Sequence, residues 1–162
     1  MMRKIFCFTT LMFFCFFLKA QNIPSCKITD VVSYYSQKTD SVYVINFWAT
    51  WCKPCVEELP YLQSVSKKYA DKKVKLLLVS LDLASFYPAK IASFAKKQNI
   101  TADIAWLNET DADYFCNQVD KKWSGSIPAT IIVNAATGYK QFYEQQFEEK
   151  EFEVELKKAL GK

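Results

Sequence analysis

Apolar positions along this chain alternate between unbroken runs and stretches where they recur every three or four residues. Val42-Tyr43-Val44-Ile45-Asn46-Phe47 is a β-branched and aromatic run that reads as a buried strand. Val74 to Leu81, nearly all apolar, reads as a second central strand. Pro128 leads into a third, Ala129-Thr130-Ile131-Ile132-Val133, and Ala136-Thr137-Gly138 turns it into a fourth at Tyr139–Tyr143. Ile104–Leu107 suits a further short strand. Helical spacing fills the gaps. Thr29 is placed to cap a short helix carrying Val31, Val32, Tyr34 and Tyr35. Val56-Glu57-Glu58-Leu59 opens a helical pattern that runs through Tyr61, Leu62 and Val65 to about Tyr69, with Pro60 expected to kink it. Pro88 starts a helix that turns Ile91, Ala92, Phe94 and Ala95 inward. Asp111–Val119 is helical, and Glu149–Leu160 closes the chain as an amphipathic helix. Strands alternating with helices, ended by a hairpin and a helix, predict an α/β fold with a mixed central sheet flanked by helices.

The first residues depart from this pattern. Arg3 and Lys4 precede an apolar run from Ile5 to Leu18, followed by Lys19-Ala20-Gln21. That run is shorter than the roughly 20 residues a bilayer span needs, so residues 1–20 read as a signal peptide cut after Ala20. Leu18 is larger than the residue such a site prefers, which leaves the cut position open. An uncleaved anchor is the alternative. A lipidated Cys15 is disfavoured because Phe13 and Phe14 stand where lipoprotein signals carry small residues. Residues 21–162 then form one domain, exported and most simply periplasmic, with no stable membrane span once the signal is gone.

Composition removes whole classes of chemistry. Without Arg3, Lys4 and Lys19 the 21 basic residues fall to 18 against 17 acidic ones, so the mature chain is near neutral and gives no case for nucleic-acid binding. Arg3 is the only arginine and there is no histidine, which excludes Ser–His and Cys–His catalysis and bidentate arginine clamps. The three glycines, Gly125, Gly138 and Gly161, build no phosphate loop. No cofactor is implied.

Cys52-Lys53-Pro54-Cys55 falls where the first strand turns into a helix. Unpaired N–H groups and a partial positive charge at a helix start favour a thiolate, drawing a cysteine pKa from about 8.5 toward 7 or below. Two thiols three residues apart also close readily into a disulfide, so the arrangement is suited to redox work. A zinc site would need four ligands, and the chain offers no histidine and no second C-x-x-C. A purely structural disulfide flanked by Trp48 and Trp51 is the other alternative. Trp51 is read as cover for the site and Trp48 as core. Among the four mature cysteines, Cys26 and Cys116 either pair with each other or stay free and buried.

Phe47-Trp48-Ala49-Thr50-Trp51-Cys52-Lys53-Pro54-Cys55 resembles the active-site signature of thioredoxin-fold proteins. Ser126-Ile127-Pro128-Ala129-Thr130 is similar to their second signature, a cis-proline loop before a strand, and Trp123-Ser124-Gly125 forms the turn into it. Glu58-Leu59-Pro60 and the export signal point to the exported TlpA/ResA-like branch. The resemblance covers residues 40–160 and implies a thiol–disulfide oxidoreductase. It acts on protein disulfide or dithiol substrates and is recycled by a redox partner. It makes Cys52 the attacking cysteine, Cys55 the resolving one and Pro128 the cis-proline facing the disulfide. Trp51, Lys53, Pro54 and the Ile127 backbone would meet the substrate strand.

Asn46 stands where ordinary thioredoxins carry a buried aspartate, and Glu58 offers the replacement. It lies three residues after Cys55, on the same helix face. ResA-like proteins have a functional glutamate at this place. Burial would raise the Glu58 pKa above about 4.3; otherwise it is a surface acid, as Glu57 is read to be. Lys53 pulls two ways. A cation beside Cys52 stabilises the thiolate and makes the protein more oxidising, whereas relatives with a charged residue before the proline tend to be reductants. The reading favours a reductant. Its rivals are an oxidase or isomerase of the same fold, a thiol peroxidase and a thiol-based metal chaperone. A peroxidase wants Thr or Ser where Ala49 stands, Pro where Ile45 stands, and an arginine. No Met-rich or His-bearing motif supports the chaperone.

Overall fold

A computed structural model describes residues 22–162, so the expected signal peptide and Cys15 lie outside the described residues. The chain runs β1 (Ser25–Cys26), α1 (Ile28–Tyr35), β2 (Val42–Trp48), α2 (Lys53–Lys68), β3 (Val74–Ser80), α3 (Ala89–Lys97), β4 (Asp103–Leu107), α4 (Ala112–Val119), β5 (Ala129–Asn134), β6 (Tyr139–Tyr143) and α5 (Glu149–Ala159). The six strands form one mixed sheet in the order β1-β4-β3-β2-β5-β6. β1, β4, β3 and β2 pair in parallel, and β5 and β6 are antiparallel. Gly138, at φ +71°, supplies the left-handed residue in the β5–β6 turn. No helix among the described residues is long and apolar enough to cross a membrane.

Every residue of β2 is buried, so hydrophobicity alone does not say which side chain faces which layer. The two-residue strand period does. Tyr43, Ile45 and Phe47 pack with Ile28, Val31 and Tyr35 of α1 and with Phe115 and Val119 of α4. Val42 and Val44 point the other way, onto Leu62 and Val65 of α2 and Phe152 and Leu156 of α5. Trp48 continues that second face among Leu59, Ile91 and Ala95 of α2 and α3. Asn46 shares this parity and is therefore directed at α2. Burying side chains such as Phe152 and Leu156 stabilises the layer by about 1.5–3 kcal/mol each. Leu156→Ala would cost about 2–5 kcal/mol.

Several local details differ from the pattern reading. Lys27, not Thr29, is the N-cap of α1, and its own N–H donates to the Asp30 carboxylate at 2.8 Å. β1 has no counterpart in the sequence pattern: two residues carry no periodicity, and only pairing with Trp106 and Leu107 makes them a strand. The α2 helix starts at Lys53, earlier than its apolar pattern; Pro60 lies inside it, as the pattern expected. In α3, Ile91 and Ala95 are fully buried, whereas Ala92 and Phe94 sit at the half-buried edge of the same cluster.

Candidate active site

The site lies where β2 ends and α2 begins. Cys52 is the N-cap of α2 with extended backbone, and its Sγ accepts the Cys55 N–H at 3.3 Å. Cys52 and Cys55 are disulfide-bonded, with Cα atoms 5.3 Å apart. Cys55 is fully buried and Cys52 nearly so, at 5% exposure. A 16-residue helix thus begins at the pair, with the positive end of its dipole at the sulfurs.

A second loop closes over the first. The Ile127–Pro128 peptide is cis and Pro128 is buried. The Cys52 Sγ lies 3.7 Å from the Ile127 carbonyl oxygen. In the disulfide that sulfur has no proton to donate; a thiol at Cys52 would have this carbonyl in reach. Trp123 donates its Nε1–H to the Ser126 carbonyl at 2.8 Å. Glu144, from the segment after β6, accepts from the Ser124 and Ser126 N–H groups at 3.0 Å each and from the Ser124 hydroxyl. Burial works against the charged Glu144, but these donors win and hold its pKa below the ordinary carboxylate value.

Glu58 is fully buried one turn after Cys55. Its Oε1 accepts from Asn46 Nδ2 at 2.7 Å and its Oε2 from the Phe147 N–H at 2.9 Å. Asn46 Nδ2 also donates to Thr130 Oγ1 at 2.9 Å. Asn46 and Thr130 are register partners across β2 and β5, so their side chains meet on one face. Burial pushes the Glu58 pKa from 4.5 up to about 7, with the Phe147 and Asn46 donors pulling the other way. Tyr61 fixes the far side of the same residue, its hydroxyl donating to the Phe147 carbonyl at 2.6 Å.

The turn ahead of Cys52 has its own anchor. Asp82, 4% exposed, accepts from the Thr50 N–H at 3.1 Å, the Thr50 hydroxyl at 2.7 Å and the Ser80 hydroxyl at 2.8 Å. Its carbonyl accepts from Trp106 Nε1 at 2.7 Å.

Fold and register therefore bring Cys52, Cys55, Glu58, Ile127 and Pro128 together. Trp51, Lys53 and Pro54 stand on the outer rim. Trp51 is 63% exposed, while Trp48 is fully buried in the core. Lys53 makes only a surface ion pair with Glu57 at 3.7 Å, so solvent screens its charge. Cys26 and Cys116 are unpaired thiols. Burial, then Asp30 and Glu109, pushes Cys26 up to about 11; burial, then Glu144 and Asp113, does the same for Cys116. The described residues hold no cluster of metal-ligating side chains.

Sequence reasoning missed the supports: Thr130, Asp82, Tyr61, Glu144 and the Phe147 N–H. Thr130 and Asp82 carried a faint signal, as polar residues within or just after apolar strand runs. Glu144 looked like any surface acid, and a main-chain N–H has no sequence signal at all.

The chain is similar to several known proteins. A family model described as the AhpC/TSA family matches residues 18–138. A thiol-disulfide oxidoreductase ResA of Bacillus cereus is 33% identical over 89 residues, covering 52% of this chain and 49% of the relative. The ResA of Geobacillus kaustophilus is 26% identical over 121 residues, covering 73% and 64%. The match thus spans less than two-thirds of the length of these curated relatives. A crystal structure of a thioredoxin-related protein from Neisseria meningitidis serogroup B superposes with a TM-score of 0.64 at 25% identity, covering 76% of this chain and 88% of that one. The fold is thioredoxin-like.

Proposed function

This chain belongs to the AhpC/TSA family, and from that premise we propose that it is an exported thiol–disulfide oxidoreductase that reduces protein disulfides. One observation carries this reading: the buried Glu58 carboxyl, with its pKa near neutrality, lies one turn beyond a cysteine pair at a helix start. A structural disulfide or a zinc site has no use for a proton acceptor there. A disulfide-exchange site does.

The cycle starts from the dithiol. The Cys52 thiolate, favoured by the start of α2, attacks one sulfur of a target disulfide. A mixed disulfide forms and the first target thiolate leaves. Glu58 then takes the proton of Cys55, and the Cys55 thiolate attacks Cys52 Sγ. The second target thiolate leaves and the Cys52–Cys55 disulfide forms. Two electrons have passed to the target. A redox partner protein returns two electrons, and Glu58 gives its proton back to Cys55, which restores the Cys52 thiolate and the Cys55 thiol. Trp51, Lys53, Pro54, Ile127 and Pro128 border the sulfurs and would receive the target segment. The screening of Lys53 removes the main argument for an oxidant, since its charge gives the Cys52 thiolate little help.

Trapping and redox titration test this together. Cys55→Ser should accumulate mixed disulfides through Cys52, and the pair should titrate below about −200 mV. Equal trapping by Cys52→Ser would reverse the roles. A potential near about −120 mV would make the protein an oxidant. Peroxide turnover without disulfide exchange would overturn the reading. The exported protein should begin near Gln21, which mass spectrometry reads directly.

A further inference from the structure

We propose that Asn46 is a two-way partner for Glu58: its amide donates to the carboxylate and, turned over, accepts from the carboxylic acid. The inference rests on Glu58 exchanging a proton, as argued above.

Asn46, Thr130 and Glu58 are all fully buried, so each must find its partners within the protein. The two Glu58 oxygens face unlike donors. Oε2 meets a main-chain N–H, and Phe147 is pinned through its carbonyl by the Tyr61 hydroxyl. That donor cannot reverse. A protonated carboxyl therefore keeps its carbonyl oxygen, the better acceptor, on Phe147, and its hydroxyl falls at Oε1. Oε1 faces Asn46 Nδ2 at 2.7 Å, which would set donor against donor. A half-turn of the amide removes the conflict by bringing Oδ1 to the place of Nδ2.

The turn carries the NH₂ to a buried place with no hydrogen-bond partner, a desolvation cost that relief of the donor–donor clash must exceed. Asn46 Oδ1 is buried without a hydrogen-bond partner, so only Glu58 and Thr130 hold the amide in its present sense. Thr130 follows in either sense, because a hydroxyl both accepts and donates. An aspartate would have to gain or lose its own proton to serve both states, and an amide does not. The ionisable groups around this network are Cys55 and Tyr61 on α2, Glu57 on the outer side of α2 and Glu148 ahead of α5. β2 and β5 face Glu58 with Asn46 and Thr130, which do not titrate.

The test is nuclear magnetic resonance of the isotopically labelled oxidised protein from about pH 5 to 9, above the ordinary carboxyl value and across the raised range, following the Glu58 carboxyl carbon and the Asn46 side-chain NH₂. Both should move in one transition with a shared midpoint. Contacts of the Asn46 NH₂ protons with Thr130 should be present above the midpoint and lost below it. In Glu58→Gln, Phe147 keeps the side-chain oxygen and the new NH₂ faces Asn46. The Asn46 amide should then hold its low-pH orientation at every pH. Asn46→Leu removes the partner of both forms, so it should raise the Glu58 midpoint by less than about 1 pH unit, whereas loss of a donor to the carboxylate alone would raise it by about 1–2 and overturn this inference. A Glu58 transition with an unmoved Asn46 amide overturns this inference and leaves the proton role of Glu58 intact. So does a Glu58→Gln protein with Asn46 in its high-pH orientation. No Glu58 transition in the range overturns both.

Discussion

Replacing Glu58 by glutamine should change how stability depends on pH, by an amount the structure sets. Burial raises the Glu58 pKa from 4.5 to about 7. Each tenfold change in proton affinity corresponds to about 1.4 kcal/mol, so the folded state prefers the protonated acid by about 3 kcal/mol. The sign follows from a folded pKa above the unfolded one. The contribution is fully present below about 4.5 and is lost as pH rises through about 7. The glutamine side chain does not titrate and has no such loss. The stability of Glu58→Gln minus that of the parent should therefore climb by about 3 kcal/mol between about pH 4.5 and 7.5, then level off. Urea unfolding of the oxidised protein at half-unit pH intervals measures this as a relative midpoint shift on the order of 1–2 M. Glu57→Gln, on the exposed side of the same helix, should show no such trend. A Glu58→Gln difference flat to about 0.5 kcal/mol across the range would mean that Glu58 is not held as a buried acid.

Further outcomes follow from the supports and the spare thiols. Cys26 and Cys116, with pKa values of about 11, should be alkylated in native reduced protein at about pH 8 at least about 100-fold more slowly than Cys52; comparable rates by mass spectrometry would contradict their burial. Glu144→Ala removes the oxygen that accepts from both Ser124 and Ser126, and should cost about 1–3 kcal/mol of stability while speeding hydrogen exchange at Ser126. Unchanged exchange there would show that Glu144 does not anchor the proline loop. Asp82→Ala strands the Thr50 and Ser80 donors and should slow disulfide exchange by loosening the turn before Cys52. Full activity in a folded variant would remove that role.

The features legible in the sequence depend on near neighbours. A C-x-x-C between an apolar run and a helical pattern marks a strand–helix junction, because caps and helix starts are set within a few residues. The three-residue step from Cys55 to Glu58 places both on one helix face for the same reason. The β-branched runs announced the central strands, and the terminal amphipathic pattern announced α5. Two signature loops were enough to indicate the fold. Features that depend on distant segments stayed hidden. A two-residue strand such as β1 has no period of its own. The acidity of Glu58 depends on a peptide N–H 89 residues away and on the β2–β5 register that sets Asn46 beside Thr130. No local pattern encodes that register, since β2 is apolar on both faces. The state of Cys26 and Cys116 likewise waits on where α1 and α4 pack. The local pattern thus placed the reactive groups, and tertiary packing supplied the low-dielectric surroundings and the partners that set their proton affinity.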